Sequence, residues 1–180
     1  MAGKYLSETS KQELRRQRTR RRTAGNILLR VGIALAVAVV ILLNVFTQLV
    51  QVVHYTGSSM EPNLSSGQTL VIHKTQNVSD GDVIAFYYNN QILVRRVIAA
   101  GGDQISIEDD GTVSVNGQIL DEPYLAARSI GQCNIDFPYL VPSGSVFVMG
   151  DNRVIAMDSR LQELGCVPMD RIIGKVMFVN

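Results

Sequence analysis

The chain has two cysteines, Cys133 and Cys166, and two histidines, His54 and His73, among 180 residues. With no Cys-x-x-Cys pair there are too few soft ligands for a structural zinc site, so neither a metal nor any other cofactor is expected. Charged residues are also scarce, at 18% against 46% apolar, which excludes a disordered or fibrous chain. No internal repeat is present. The net charge of +1 conceals an asymmetry, because residues 1–30 carry nine Lys/Arg against Glu8 and Glu13, whereas residues 31–180 carry eight against fourteen acidic residues. The basic excess is a short arm and not a basic domain, so a nucleic-acid partner is set aside.

What the chain does have is a long apolar run. Val31 to Val53 contains no charge over 23 residues, enough at about 1.5 Å per helical residue to cross a hydrocarbon core of about 30 Å. A buried core helix of a soluble protein is seldom so long without a charge. The arm before it holds Arg15, Arg16, Arg18, Arg20, Arg21, Arg22 and Arg30, and no Lys or Arg follows until Lys74. The positive-inside rule therefore predicts a basic cytoplasmic tail over 1–30, a single-pass anchor in the cell membrane over 31–53, and an extracytoplasmic domain over 54–180. The run is too long for a cleaved signal sequence and lacks a small-x-small site, so the anchor is expected to be retained in the lipid bilayer.

Short runs rich in Val, Ile, Phe and Tyr fill the remainder: 68–73, 82–88, 92–99, 104–108, 112–115, 145–149 and 172–179. Asn89-Asn90, Asp109-Asp110-Gly111 and Asn116-Gly117 separate them with residues that tolerate positive φ, which predicts a mainly β domain of antiparallel sheet. Residues 121–144 lack periodicity and are expected to form a long loop. Cys133 and Cys166 either form a disulfide or remain thiols; the sequence supports both.

The chemistry-bearing residues begin just after the anchor with Gly57-Ser58-Ser59-Met60-Glu61-Pro62-Asn63-Leu64. A serine between a Gly-Ser pair and a proline-fixed chain can present its hydroxyl on a rigid turn beside backbone N–H groups suited to an oxyanion. Alone, such a cluster is usually an ordinary turn. Three further segments change that reading: Gly81-Asp82-Val83-Ile84-Ala85-Phe86, then Arg95-Arg96-Val97-Ile98-Ala99-Ala100-Gly101-Gly102-Asp103, then Gly150-Asp151-Asn152-Arg153 followed by Asp158-Ser159-Arg160. In this order, behind a basic arm and one anchor, they resemble the blocks of the bacterial type I signal peptidases.

The resemblance implies a membrane-anchored serine endopeptidase that removes signal peptides from exported preproteins, with small residues preceding the cleaved bond. Ser59 falls on the nucleophile position, its N–H on the oxyanion position, and Met60 on the residue that follows the nucleophile. Gly57 stands where some relatives carry an assisting serine. Arg96, Asp151, Asp158 and Arg160 fall on the polar support of the site.

Two positions depart from the pattern. The family's general-base lysine belongs where this chain has Arg95. A buried lysine can become a neutral amine, but a guanidinium stays protonated and offers no lone pair. Ala156 stands where the family has a serine that holds that lysine. Neither His54 nor His73 falls in a matching block, and Lys74 reads as a solvated strand end. Arg95 can still act as a fixed cation, with water or hydroxide removing the serine proton. Two functions are therefore open: a signal peptidase with an unusual site, or a catalytically impaired relative that binds signal peptides or assists assembly of exported surface proteins.

Overall fold

The computed structural model describes residues 8–179, and the chain divides into two compact units, residues 1–47 and 48–180. Residues 1–7 of the basic arm lie outside the described residues. Helix α1, Glu8–Leu49, runs from the arm through the apolar segment. Its portion Leu28–Leu49 is long and apolar enough to cross a membrane. The polar residues of its second half fold back on the helix, with Asn44 Nδ2 donating to the Val40 carbonyl and Thr47 Oγ1 to that of Asn44. Such local bonds let polar side chains sit in an apolar stretch.

The second unit is antiparallel β structure. Its strands are β1 Val50–His54, β2 Thr69–His73, β3 Val83–Tyr88, β4 Gln91–Ala100, β5 Gln104–Ile107, β6 Val113–Val115, β7 Gln118–Ile119, β8 Tyr139–Leu140, β9 Ser145–Met149, β10 Val167–Pro168 and β11 Ile172–Val179. Among the described residues a larger sheet has the order β1-β2-β11-β3-β4-β9-β10, and a smaller one β7-β6-β5-β8. Asn89 and Asn90, at φ 45° and 62°, turn β3 into β4, and Asn116 and Gly117, at 53° and 78°, turn β6 into β7. Both are the two-residue hairpins whose twist needs positive φ at each central position.

The predicted strands form to within a residue or so at each end. One boundary is corrected: Val50–Val53, expected inside the membrane anchor, pair with Val53 opposite Leu70 and Val50 opposite His73. An apolar, β-branched stretch satisfies its backbone as readily in a ladder as in a helix. The 121–144 region is largely irregular, as expected, but Tyr139–Leu140 adds a short strand beside β5. Cys133 and Cys166 are free thiols. Burial raises the pKa of Cys166, against the opposing effect of the Tyr139 hydroxyl nearby.

Strand alternation divides the core. Val146 and Val148 of β9 pack with Ile84, Phe86 and Val97, while Phe147 and Met149 pack with Ile98, Ile105 and Val113, as side chains on alternate sheet faces must. A third cluster joins Tyr55, Met60 and Leu64 to Leu70, Ile72 and Val94. In β4, Val97 faces Val148 but Ala99 faces Phe147, so Ile98 is the extra residue of a bulge. Strand β9 ends at Met149, opposite Arg96. The Gln91–Arg95 half of β4 therefore pairs with β3 alone among the described residues.

Candidate active site

The ends of β1 and β9 determine where the polar residues meet. After β1 the chain curls through residues 55–67 and returns into β2, closed by Tyr55 N–H donating to the Gln68 carbonyl and Gly67 N–H to that of Tyr55. Leu64 N–H donates to the Met60 carbonyl, and Met60 is fully buried beneath the curl. The 150–160 loop, emerging from β9, grips this curl from the other side. Asn152 N–H donates to the Ser59 carbonyl at 3.0 Å, and Asn152 Nδ2 to that of Ser58 at 3.2 Å.

Ser59 lies at a cleft of about 270 Å³ lined by Tyr55, Gly57, Leu93, Arg95, Ile155 and Met157, among others. Its Oγ accepts from Arg95 Nη1 at 2.7 Å and lies 3.2 Å from the Tyr55 hydroxyl. The Ser59 N–H meets no acceptor among the described residues, which leaves it available to an incoming oxyanion. Gly57 adopts φ 129°, a conformation other residues rarely take, and it is exposed at the cleft mouth.

Arg95 is only 4% exposed. Its Nε donates to the Met157 carbonyl at 2.8 Å, and Nη1 donates to the Val94 carbonyl at 2.6 Å as well as to Ser59. No carboxylate pairs with it among the described residues. Burial lowers its pKa; the field of Asp158 and then that of Tyr55 oppose this, while Arg160 adds to it. The guanidinium nonetheless remains a cation, since arginine does not lose its proton in proteins.

Below the cleft the charges are paired. Asp158 accepts Gly150 N–H at 2.9 Å and both Nε and Nη2 of Arg160 at 2.8 Å, with both side chains wholly buried. Asp151 accepts Nε and Nη2 of Arg96 at 2.8 and 2.6 Å, and the guanidinium carbon of Arg96 lies 4.0 Å from the centre of the Tyr124 ring. Ala156 is buried and its carbonyl accepts from Arg160 at 3.5 Å. The expected residues are thus brought together, in two tiers: Gly57, Ser59 and Arg95 at the cleft, and Met60, Arg96, Asp151, Ala156, Asp158 and Arg160 beneath or beside it. His54 is tied to the Thr69 hydroxyl at 3.1 Å, His73 and Lys74 are exposed, and none of the three hydrogen-bonds to Ser59.

The family model described as "Signal peptidase, peptidase S26" matches residues 28–180. The chain belongs to the S26 signal peptidases. It is 36% identical over 167 residues to signal peptidase I T of Bacillus subtilis strain 168, covering 86% of each chain. It is 35% identical over 166 residues to signal peptidase IB of Staphylococcus aureus strain Mu50, covering 81% of this chain and 85% of the relative. A crystal structure of a signal peptidase I from Enterococcus faecalis V583 shares 30% identity and a TM-score of 0.49, over 56% of this chain and 97% of the other.

Sequence reasoning about this signal peptidase did not single out several residues that build its site. Asn152 and Arg153 lay inside the quoted Gly150 block without roles. Arg153 is buried against Glu122, with Nη2 2.5 Å from the carboxylate, and Glu122 also accepts from the Tyr124 hydroxyl at 2.7 Å. Asn63 Nδ2 donates to Asp151 and to the Tyr124 carbonyl, each at 2.8 Å. Tyr55 gave no signal beyond its place four residues before Ser59.

Proposed function

We propose that Ser59 is the nucleophile with which this chain cuts signal peptides, and that Arg95 serves the reaction as a fixed cation in place of a base. The protein is a membrane-anchored serine endopeptidase of the signal peptidase I type. Its substrates are exported preproteins. The observation that carries the assignment of Ser59 is the state of its two polar groups, a hydroxyl lining the cleft and an N–H without an acceptor.

The open half of β4 beside the cleft is a sheet edge on which an extended substrate segment can pair through its backbone. The substrate carbonyl would then sit between Ser59 Oγ and the Ser59 N–H. As the oxyanion develops, that N–H donates to it, a contribution typically worth about 10²- to 10³-fold for one such donor. Arg95 Nη2 makes no hydrogen bond among the described residues and supplies a further cationic donor. Exposed Ile155 and half-exposed Met157 border the cleft, a shallow apolar lining suited to small residues before the cleaved bond. The arginine-rich arm places the N-terminus in the cytoplasm and the β domain outside it.

Cleavage of a preprotein by the full-length protein in detergent, compared with Ser59→Ala, tests this reading. Cleavage abolished by the substitution is expected, and cleavage that persists in Ser59→Ala overturns it. Arg95 and Ala156 favour a second reading, a signal-peptide-binding relative without activity, which would be supported by preprotein binding with no cleavage in the wild type.

A further inference from the structure

A guanidinium cannot take the serine proton, yet another oxygen lies within reach of Ser59. We propose that the Tyr55 hydroxyl is the proton acceptor and donor for Ser59, taking the serine proton as a phenolate. This rests on the reading of Ser59 as nucleophile.

Tyr55 Oη lies 3.2 Å from Ser59 Oγ. The Met60 N–H also donates to Oη at 3.2 Å, which fixes the phenol oxygen beside the serine. Arg95 Nη1 donates to Ser59 Oγ, which leaves the hydroxyl hydrogen of Ser59 free to point at Tyr55. The Arg95 charge is thus one atom removed from the Ser59–Tyr55 pair. Tyr55 is 5% exposed, yet it lines the cleft. Gly57 lies beside the phenol as well, a Cβ there falling 3.9 Å from the Tyr55 oxygen.

The other charged and titratable groups nearby are engaged elsewhere. His54, beside Tyr55 in the chain, bonds to Thr69. On β4, Arg96 is held by Asp151. In the 150–160 loop Asp158 and Arg160 pair with one another, and both act on Arg95 only through their field. Glu61, in the same curl, makes no hydrogen bond through its carboxylate among the described residues and is half-buried. No carboxylate, histidine or lysine hydrogen-bonds to Ser59 or Tyr55 among the described residues.

The proton accounting closes. Tyr55 first loses its proton to solvent hydroxide. Ser59 Oγ then bonds to the scissile carbon as its proton passes to Tyr55 Oη. Tyr55 gives that proton to the departing amine nitrogen as the C–N bond breaks, leaving an ester on Ser59. The regenerated phenolate takes a proton from the water that attacks this ester, and returns it to Ser59 Oγ as the C–Oγ bond breaks. One water is consumed, no electron is transferred, and Arg95 stays protonated throughout.

The test measures kcat and KM against pH for the full-length protein in detergent, acting on a fluorogenic peptide with an Ala-x-Ala site. Wild type, Tyr55→Phe and a protein carrying 3-fluorotyrosine at position 55 are compared. Since only the deprotonated phenol accepts the proton, wild-type kcat should rise with pH. Tyr55→Phe should lower kcat roughly 10²-fold or more with little change in KM. The fluorinated side chain keeps the hydroxyl and the packing but is a stronger acid, so the rise should move to lower pH. Wild-type kcat in Tyr55→Phe, a pH profile indifferent to fluorination, or no turnover at all in the wild type would each overturn the proposal. Persistent cleavage in Ser59→Ala instead strikes the nucleophile assignment, so the two failures are distinguishable.

Discussion

Gly150 lies so close to the Ser59 carbonyl that a side chain at position 150 would overlap it and would also strike the Ala156 Cβ. The contact lets the 150–160 loop lie directly on the curl that carries Ser59, with Asn152 reaching the same carbonyl. Gly150→Ala should therefore displace Ser59 while leaving its chemistry untouched. A loss of about 1–3 kcal/mol in stability is expected from overpacking, together with a fall in kcat larger than that in Met177→Ala, a change at an exposed strand residue. Equal kcat in the two variants would show that the close approach does not position the serine.

The Asp158–Arg160 pair is wholly buried. Asp158→Asn would leave the Arg160 cation in a low-dielectric interior without its counter-charge. Breaking one partner of such a pair typically costs about 3–5 kcal/mol, so urea unfolding should show a lowered midpoint with little change in slope. Replacing an exposed charge such as Glu108 should shift the midpoint far less.

Arg95→Lys with Ala156→Ser introduces an amine able to lose its proton and a hydroxyl able to hold it. Cleavage should rise at least about tenfold over wild type. Arg95→Lys alone should gain less, because the buried Ala156 methyl offers no acceptor to orient the amine. An unchanged rate in the double variant would count against the alignment of Arg95 with the base.

The carboxyl of Asp80 has its pKa raised, chiefly by desolvation and then by the negative charges of Asp103 and Asp82. A carboxyl whose folded-state pKa is raised stabilises the fold below its unfolded value, and that contribution is lost as pH rises through the folded value. Asp80→Asn removes the ionisation. The variant should be more stable than wild type between about pH 4 and neutrality, by less than about 1 kcal/mol because the site is largely exposed, which thermal unfolding at each pH would show. A gain that is the same at pH 3 and pH 7 would exclude ionisation as its cause.

Much of the β domain was legible because its strands and turns carry local chemistry. Asn89-Asn90 and Asn116-Gly117 specify their hairpins through backbone angles that few other residues accept. The strand Val50–His54 was not legible, since Val50, Val52 and Val53 continue the apolar composition of the preceding helix and only pairing with β2 distinguishes them. At the site, Ser59 and Arg95 stood out through their blocks. Tyr55 and Glu122 did not, because what matters about them is tertiary: a chain curl brings Tyr55 back to Ser59, and a 31-residue separation closes to join Glu122 to Arg153. That the Arg95 guanidinium offers no lone pair for a proton was legible, but its contacts with the Val94 and Met157 carbonyls were not.

Those contacts give Arg95 a second character. One planar fork fastens three stretches of chain, the Ser59 curl, the strand edge and the loop that follows β9. A lysine ammonium can point at only part of this set, and once neutral it holds still less. Arg95→Lys should therefore loosen the rim of the cleft even where it quickens the reaction. In this domain the same position decides how firmly the site is held and how readily it turns over, and a single side chain cannot maximise both.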